Sequence, residues 1–377
     1  MKIGIDCRQI YDIEKNIGAG IPRYIFHLVK NILSQDKQSD FVLFFDEKIS
    51  QQTIDSLKVE RNFKIIKVKN QVPFFSAHFF FTLQVWREFL DWTIFPSGSM
   101  PFFYLGKSLL IIHDLIIYTQ PHWFPNKQWF SKLLVVPASV TKASKIVTIS
   151  EATKKTLLYL FKFRQDKDIR VIYSGITPTR DYGQLAVEEV MKEHRITKPF
   201  LLFVGTIEPR KNLNCLINAF YQYKKETKTE IELIIAGAKG WKYKNFFNRL
   251  NEKNQLLGTE AIRYIGKVSD KERNILMQKA ECFVFPSYFE GFGLPVLEAM
   301  INSCPVITSN TGATGEIITD QAIKIDPKDS IELYLAIKKI LQDKKLREDL
   351  IEKGSQYAKT FTWDKTADQI LEFIKIP

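Results

Sequence analysis

Short apolar runs recur along this chain, bounded by turn residues, and most lead into stretches whose apolar positions return every three or four residues. The first group of runs lies at 2–6, 41–45, 63–68, 93–95, 109–113, 145–148 and 170–173. Continuous rather than alternating apolar character predicts strands buried on both faces. Helical spacing separates most of them, as at 22–33, 127–138 and 151–161. A second group at 200–204, 232–236, 263–265, 282–285, 305–308 and 322–325 alternates with helices in the same way. Such alternation predicts an α/β chain of two lobes, each a doubly wound parallel sheet covered by helices. Residues 176–199, with two prolines and a polar, charged helix-like piece, are the expected linker. One domain is therefore expected over 1–180 and another over 195–360.

Composition narrows the class. The 377 residues are enough for two to three domains, and 45% hydrophobic content can fill sizeable cores. No stretch approaches the roughly 18 uninterrupted apolar residues of a membrane span. The N-terminal run meets Asp6 too early for a secretory leader and reads as a first strand. Cys7, Cys215, Cys282 and Cys304 are far apart in apolar contexts, without metal-ligand spacing. They read as reduced core thiols of a cytoplasmic protein. The net charge of +12 is spread evenly: 25 Lys/Arg against 18 Asp/Glu over 1–190, and 29 against 24 in the remainder. A charge so distributed suits sugar nucleotides or the inner face of an anionic membrane, and argues against a nucleic-acid-binding arm.

Candidate chemistry concentrates after two strands of the second group. Glu290-Gly291-Phe292-Gly293-Leu294-Pro295 follows the run 282–285 and opens a helix, with Glu298 in what reads as its first turn. Pro295 suits the first helical position, where its missing N–H costs nothing. Gly291 and Gly293 leave main chain bare, and amides at a helix N-terminus make a ready anion site. Glu290 and Glu298, 8 positions apart, bracket that site with acceptors for sugar hydroxyls. The bland alternative is a glycine-bearing loop with solvated glutamates. The run 200–204 leads through Gly205 into Glu208-Pro209-Arg210-Lys211-Asn212, and two cations at a strand's C-terminal end lie where open α/β sheets bind ligands. Arginine offers a fork to phosphate and lysine a point charge. A solvated loop tip is the ordinary fate of such a pair.

Together these segments resemble the retaining, nucleotide-sugar-dependent glycosyltransferases of family four, typified by sucrose synthases and bacterial mannosyltransferases. Val204-Gly205, followed after four residues by Arg210-Lys211-Asn212, and the glutamate pair separated by seven residues match that family letter for letter. Ile111-Ile112-His113-Asp114-Leu115, Val147-Thr148-Ile149-Ser150-Glu151 and Phe361-Thr362-Trp363-Asp364 extend the resemblance along most of the chain. It implies the GT-B fold, two Rossmann-like domains facing across a cleft, with the last helix (361–377) crossing back to the first. It implies that Arg210 and Lys211 stabilise the leaving diphosphate, that Glu290 holds the donor sugar and that Glu298 holds the ribose. Main-chain groups around Lys267 and Val268 would meet the base, and amides near Gly293 and Gly20 the phosphates. No metal or other cofactor is implied. The pattern is most similar to mannosyltransferases of surface polysaccharide, which points to GDP-mannose and to a saccharide or lipid-linked oligosaccharide acceptor. UDP-sugar transfer, sugar-nucleotide epimerisation and an inactive partner subunit are the alternatives. A nicotinamide dehydrogenase is disfavoured, because no Gly-x-Gly-x-x-Gly opens a helix after the first strand.

Four further features carry two readings each. His113 ends an apolar strand, as a satisfied core histidine does, yet lies at the ligand-bearing end of its sheet; the resemblance puts it beside the transferred sugar. Gly18-Ala19-Gly20 is either a phosphate-facing turn or a plain turn before Pro22 and Arg23. The aromatic stretch 73–87 is first a core filler and, alternatively, a membrane-contacting segment. Asp166-Lys167-Asp168 copies a metal-binding pattern, but its place ahead of the run 170–173 puts it at a strand entrance, where a solvated turn is expected.

Overall fold

Strands form where the apolar runs predict them because helices cover both faces. The computed structural model describes residues 1–15, 20–58, 63–69, 76–125 and 131–376. The first sheet contains β1 (Lys2–Asp6), β2 (Asp40–Asp46), β3 (Lys64–Val68), β4 (Trp92–Phe95), β5 (Ser108–Ile112), β6 (Lys145–Thr148) and β7 (Ile169–Val171). The second contains β8 (Phe200–Val204), β9 (Glu232–Ala236), β10 (Ile262–Gly266), β11 (Cys282–Phe285), β12 (Val306–Ser309) and β13 (Ile323–Ile325). Neighbouring strands run parallel, in the orders β3-β2-β1-β4-β5-β6-β7 and β10-β9-β8-β11-β12-β13. Central strands such as β5 and β8 are buried at every residue. In each sheet the winding reverses beside its first strand, between β1 and β4 and between β8 and β11. Reversal leaves a crevice at the C-terminal ends of those two strands, because their connections depart in opposite directions.

Two compact units result. One comprises Met1–Pro121, Pro125–Gly175 and Phe361–Pro377; the other comprises His122–Phe124 and Ile176–Thr360. The boundary at Gly175 assigns the expected linker to the second unit, where Gly183–Glu193 is a regular helix whose Val190 is buried. The final helix, Trp363–Lys375, belongs to the first unit. Thr362 caps it by accepting from the Lys365 amide, 3.2 Å. Trp363 then packs edge-on against Tyr24 and stacks on His27, both from the helix Ile21–Gln35. A side chain at Gly175 would put its Cβ 2.3 Å from the Trp363 amide nitrogen, so the docking of this helix requires glycine there.

Three adjacent strands of the second sheet end in glycine. Gly205 follows β8, Gly237 follows β9 and Gly266 closes β10. The Gly205 amide donates to Ala236 O (3.0 Å) and the Gly237 amide to Gly266 O (2.7 Å), so this sheet edge is bare main chain. Gly237 has φ +146°, and a Cβ there would fall 1.9 Å from Gly205 O. Gly237→Ala is expected to cost about 2 kcal/mol or more through clash and backbone strain. The melting temperature should fall by roughly 4–8 °C. Gly258→Ala, in a left-handed turn with nothing within 4 Å of the added carbon, should cost clearly less. Equal melting temperatures for the two variants would refute this account of the edge.

Candidate functional site

The crevice of the second sheet is built by the loops leaving β8 and β11. After Gly205 the chain makes a single helical turn, Pro209–Lys211. Asn212 ends that turn in the left-handed region, φ 56°. Its side-chain Nδ2 donates to Pro286 O (3.1 Å) and Pro327 O (2.6 Å), which pins the turn against the loop after β11. The helix Leu213–Thr227 follows directly. So anchored, the cations are not at a solvated loop tip, as the polar sequence suggests. Lys211 is 7% exposed, and the Arg210 side chain is mostly covered.

Both cations converge on Glu290. Arg210 Nη1 donates to Glu290 Oε2 at 2.6 Å and to Phe289 O at 3.1 Å. Lys211 Nζ donates to Glu290 Oε1 at 2.7 Å. The other edge of Arg210 binds Glu208, with Nε and Nη2 at 3.0 and 2.7 Å from Oε1. Glu208 is buried too, a partner to which the sequence pattern gives no role. Two cations and two carboxylates thus form a formally neutral set. Burial alone would raise the Glu290 carboxyl, but Arg210 and then Lys211 outweigh it and hold it down at about 2. Burial pulls the Lys211 ammonium below its ordinary range, Arg210 adds to that, and Glu290 offsets only part. Glu290 is therefore no solvated loop glutamate. Its backbone is held as well: Ala313 N donates to Glu290 O, 3.1 Å, and Gly312, at φ +58°, fits closely against Glu290 N and O.

Beyond Glu290 the chain passes Gly291, Phe292 and Gly293, all buried, and enters the helix Leu294–Ile301. Gly293 caps this helix at φ +94°. The helix begins at Leu294, so Pro295 is its second residue rather than its first, and Glu298 falls in the second turn. Burial of the Phe292 ring leaves its main chain as the part that can meet a ligand. Glu298 Oε1 lies 3.4 Å from Arg273 Nη2, and Arg273 Nη1 lies 3.0 Å from Asp270. Lys267 and Val268 follow β10, beside the Gly237–Gly266 hydrogen bond, with Lys267 exposed. Tyr288, whose amide donates to Arg210 O at 2.9 Å, stacks on Trp123. The Trp241 indole in turn donates to Trp123 O.

The remaining candidates lie in the first unit. His113 follows β5 and is buried; its Nε2–H donates to Pro96 O at 2.7 Å, in the loop after β4. A carbonyl can only accept, so this bond assigns the ring proton to Nε2. Burial lowers the pKa of His113 and keeps it neutral near pH 7. Tyr24 meets the imidazole edge-on, 4.7 Å between ring centres. Gly20 caps the helix carrying Tyr24, at φ +61°, and its carbonyl accepts from the Tyr24 amide, 3.0 Å. Gly18 and Ala19 of that turn lie outside the described residues, as do 73–75 of the aromatic stretch and 127–130 of the expected helix 127–138. Arg23 lies over the Tyr11 ring. Asp166-Lys167-Asp168 forms a turn at the entrance of β7, with Asp166 bridged to Lys154 at 2.8 Å.

This geometry has relatives. The family described as glycosyl transferases group 1 matches residues 187–357, the stretch that holds the ion cluster. The O-antigen chain mannosyltransferase B of Escherichia coli is 28% identical over 95% of this chain and 96% of its own. The chain is a glycosyltransferase, homologous to the family-four bacterial mannosyltransferases. Its fold is GT-B. Sucrose-phosphate synthase from Thermosynechococcus elongatus superposes on 99% of this glycosyltransferase and 98% of its own chain, at TM-score 0.73 and 19% identity. Anabaena HepE, in a complex with UDP-glucose, covers 99% of both chains at TM-score 0.75 and 16% identity.

The buried pair generates an acid-stability prediction. Glu290 titrates near 4.5 when unfolded and about 2 when folded, so its stabilisation is complete above pH 4.5 and fades as pH falls toward 2. The shift corresponds to on the order of 3 kcal/mol. Glu290→Gln leaves Lys211 buried without its counter-charge and should cost the glycosyltransferase roughly 3–5 kcal/mol at pH 7. Urea titrations between pH 7 and 2.5 should show wild type and variant converging as pH falls. Curves that stay parallel through that window would remove Glu290 as the titrating group.

Proposed function

We propose that this glycosyltransferase moves a hexose from a nucleoside diphosphate sugar to a saccharide acceptor, with retention at the anomeric carbon. The donor is GDP-mannose, and the acceptor is a lipid-linked oligosaccharide of a cell-surface polysaccharide. The observation that carries this reading is the Arg210–Lys211–Glu290 cluster at the winding reversal, beside the N-terminus of the helix Leu294–Ile301. Similarity to the E. coli mannosyltransferase over nearly the whole chain supports the sugar. The UDP-glucose bound to HepE supports the second reading, a UDP-sugar donor.

In this mechanism the bond from the anomeric carbon to the diphosphate oxygen breaks while the acceptor oxygen bonds to that carbon on the same face. The acceptor proton passes to the departing phosphate. Arg210 and Lys211 stabilise the charge that develops on the diphosphate, helped by amides near Gly293. Because the cluster is neutral, the diphosphate competes with Glu290 for these cations. Glu290 keeps spare lone pairs for hydroxyls of the sugar, and its fixed backbone aims them. Glu298 accepts from the ribose, and main chain at Lys267 and Val268 meets the base. The two cations supply the positive charge that a divalent metal would bring elsewhere, so activity is expected to survive excess EDTA.

Arg210→Ala and Lys211→Ala should each lower turnover by about a hundredfold or more. Arg210→Lys, which keeps the charge but loses the fork, should be intermediate. Glu298→Gln should weaken nucleotide binding by roughly 1.5–3 kcal/mol while changing turnover less. Thermal-shift titration against GDP-mannose, UDP-glucose and the free diphosphates reads the donor, because a ligand bound only by the folded state raises the melting temperature. Stabilisation by UDP-glucose alone would replace the GDP-mannose reading. Near-normal turnover in both alanine variants would remove the cluster from catalysis.

A further inference from the structure

The aromatic stretch before β4 divides into an inner and an outer face. Phe81, Thr82 and Val85 are buried in the first unit, as core filling requires. Phe79 and Phe80 point outward, 43% and 51% exposed. A second outward pair lies on the loop between β4 and β5, where Phe102 and Phe103 sit between the buried Pro101 and Tyr104. The two pairs join: Phe79 meets Phe103 edge-on at 6.1 Å, and each pair is edge-on within itself at 5.5 Å. The Phe102 amide donates to His78 Nδ1 at 3.1 Å, which fixes one segment to the other. Leu105, 75% exposed, continues the apolar surface. Four touching outward phenylalanines are costly in water and mark a contact surface.

Cations fringe this surface. Lys142 sits over the Phe102 ring, 4.7 Å from its centre, and donates to Phe102 O. Arg8 and Lys142 lie close enough to His78 to lower its pKa, an effect that burial leads. The segments 76–87 and 92–113, which carry the rings, hold no Asp or Glu and bring Arg87 and Lys107. A second copy of the chain docking through the same surface would set cation against cation. Large aromatics with a cationic fringe instead match the boundary between the acyl and headgroup layers of an anionic bilayer.

We propose that Phe79, Phe80, Phe102, Phe103 and Leu105, fringed by Lys142 and Lys107, dock the first unit on the surface of an anionic lipid bilayer. The rings enter the interface and the cations meet lipid phosphates. This assignment is independent of the donor chemistry, because none of these residues belongs to the ion cluster.

The test is sedimentation of the full-length protein with vesicles of phosphatidylcholine alone or with 30–40% (about one lipid in three) phosphatidylglycerol, at low and high salt. Binding should require the anionic lipid and weaken with salt. The outward rings contribute little to the fold, so Phe79→Ser/Phe80→Ser and Phe102→Ser/Phe103→Ser should each keep the wild-type melting temperature and nucleotide-sugar binding. Each should lower vesicle partitioning by about tenfold or more. Lys107→Glu should lower binding to anionic vesicles and leave melting unchanged. Equal binding to both vesicle types, full binding by either serine pair, or a wild-type dimer that these substitutions dissolve would overturn the proposal.

Discussion

A carboxylate buried between two cations fixes the second unit's working edge. Glu290 comes from the loop after β11, Arg210 and Lys211 from the turn after β8, and these strands are neighbours only because the sheet reverses its winding there. Burying any one of the three alone would be expensive, since an unpaired interior charge costs several kcal/mol. Each is tolerable only with the others in place. The supporting contacts follow from that need: Asn212 ties the turn to Pro286 and Pro327, and Gly312 leaves room for the Glu290 backbone. The cluster therefore sets where two loops go as well as what charge they present.

Neutrality of that cluster shapes its chemistry. A bare Arg-Lys pair would draw any anion, including inorganic phosphate. Arg210 and Lys211, already satisfied by Glu208 and Glu290, yield a net gain only to a ligand that also repays the carboxylates, with hydroxyl donors or by a better fork. A sugar joined to a diphosphate carries both kinds of group in one molecule. Long-range attraction then falls to the chain's general excess of +12, which acts over about a Debye length and is weakened by salt. Recognition at short range and steering at long range are thus separate properties of different residues.

The strands were legible because parallel strands are apolar on both faces, and runs such as Phe200–Val204 and Cys282–Phe285 match the observed strands residue for residue. Helix ends were less so. Glu298 lies one position deeper than its spacing suggests, which carries it into the second turn, because Leu294 rather than Pro295 opens the helix. The residue types of the cluster could be read, but not its burial: Glu-Pro-Arg-Lys-Asn looks like a solvated loop by composition. What folds it inward is a carboxylate 79 positions further on from Lys211, a contact that no local pattern records. The aromatic stretch misled in the opposite sense, since among its described residues Phe81 fills the core while Phe79, Phe80 and Trp86 face outward. Period and hydrophobicity do not separate those two fates when the helix is so short.

Return of the last helix ties the first unit to the end of the chain. Trp363 packs on Tyr24, and Tyr24 packs on His113, so the surroundings of that imidazole depend on a residue 250 positions later, 363 − 113. Lys145 donates to Phe373 O at 2.8 Å, and Arg170 reaches Glu372 at 3.1 Å, joining the same helix to β6 and β7. Contacts of such separation carry a large closure entropy and form late. During synthesis from the N-terminus, the first seven strands can assemble early, but the face formed by Tyr24 and His27 stays uncovered until Trp363 arrives. The second unit, contiguous from Ile176 to Thr360 apart from three residues, has most of its sequence together before then. The order in which the two units can complete is therefore the reverse of the order in which they begin.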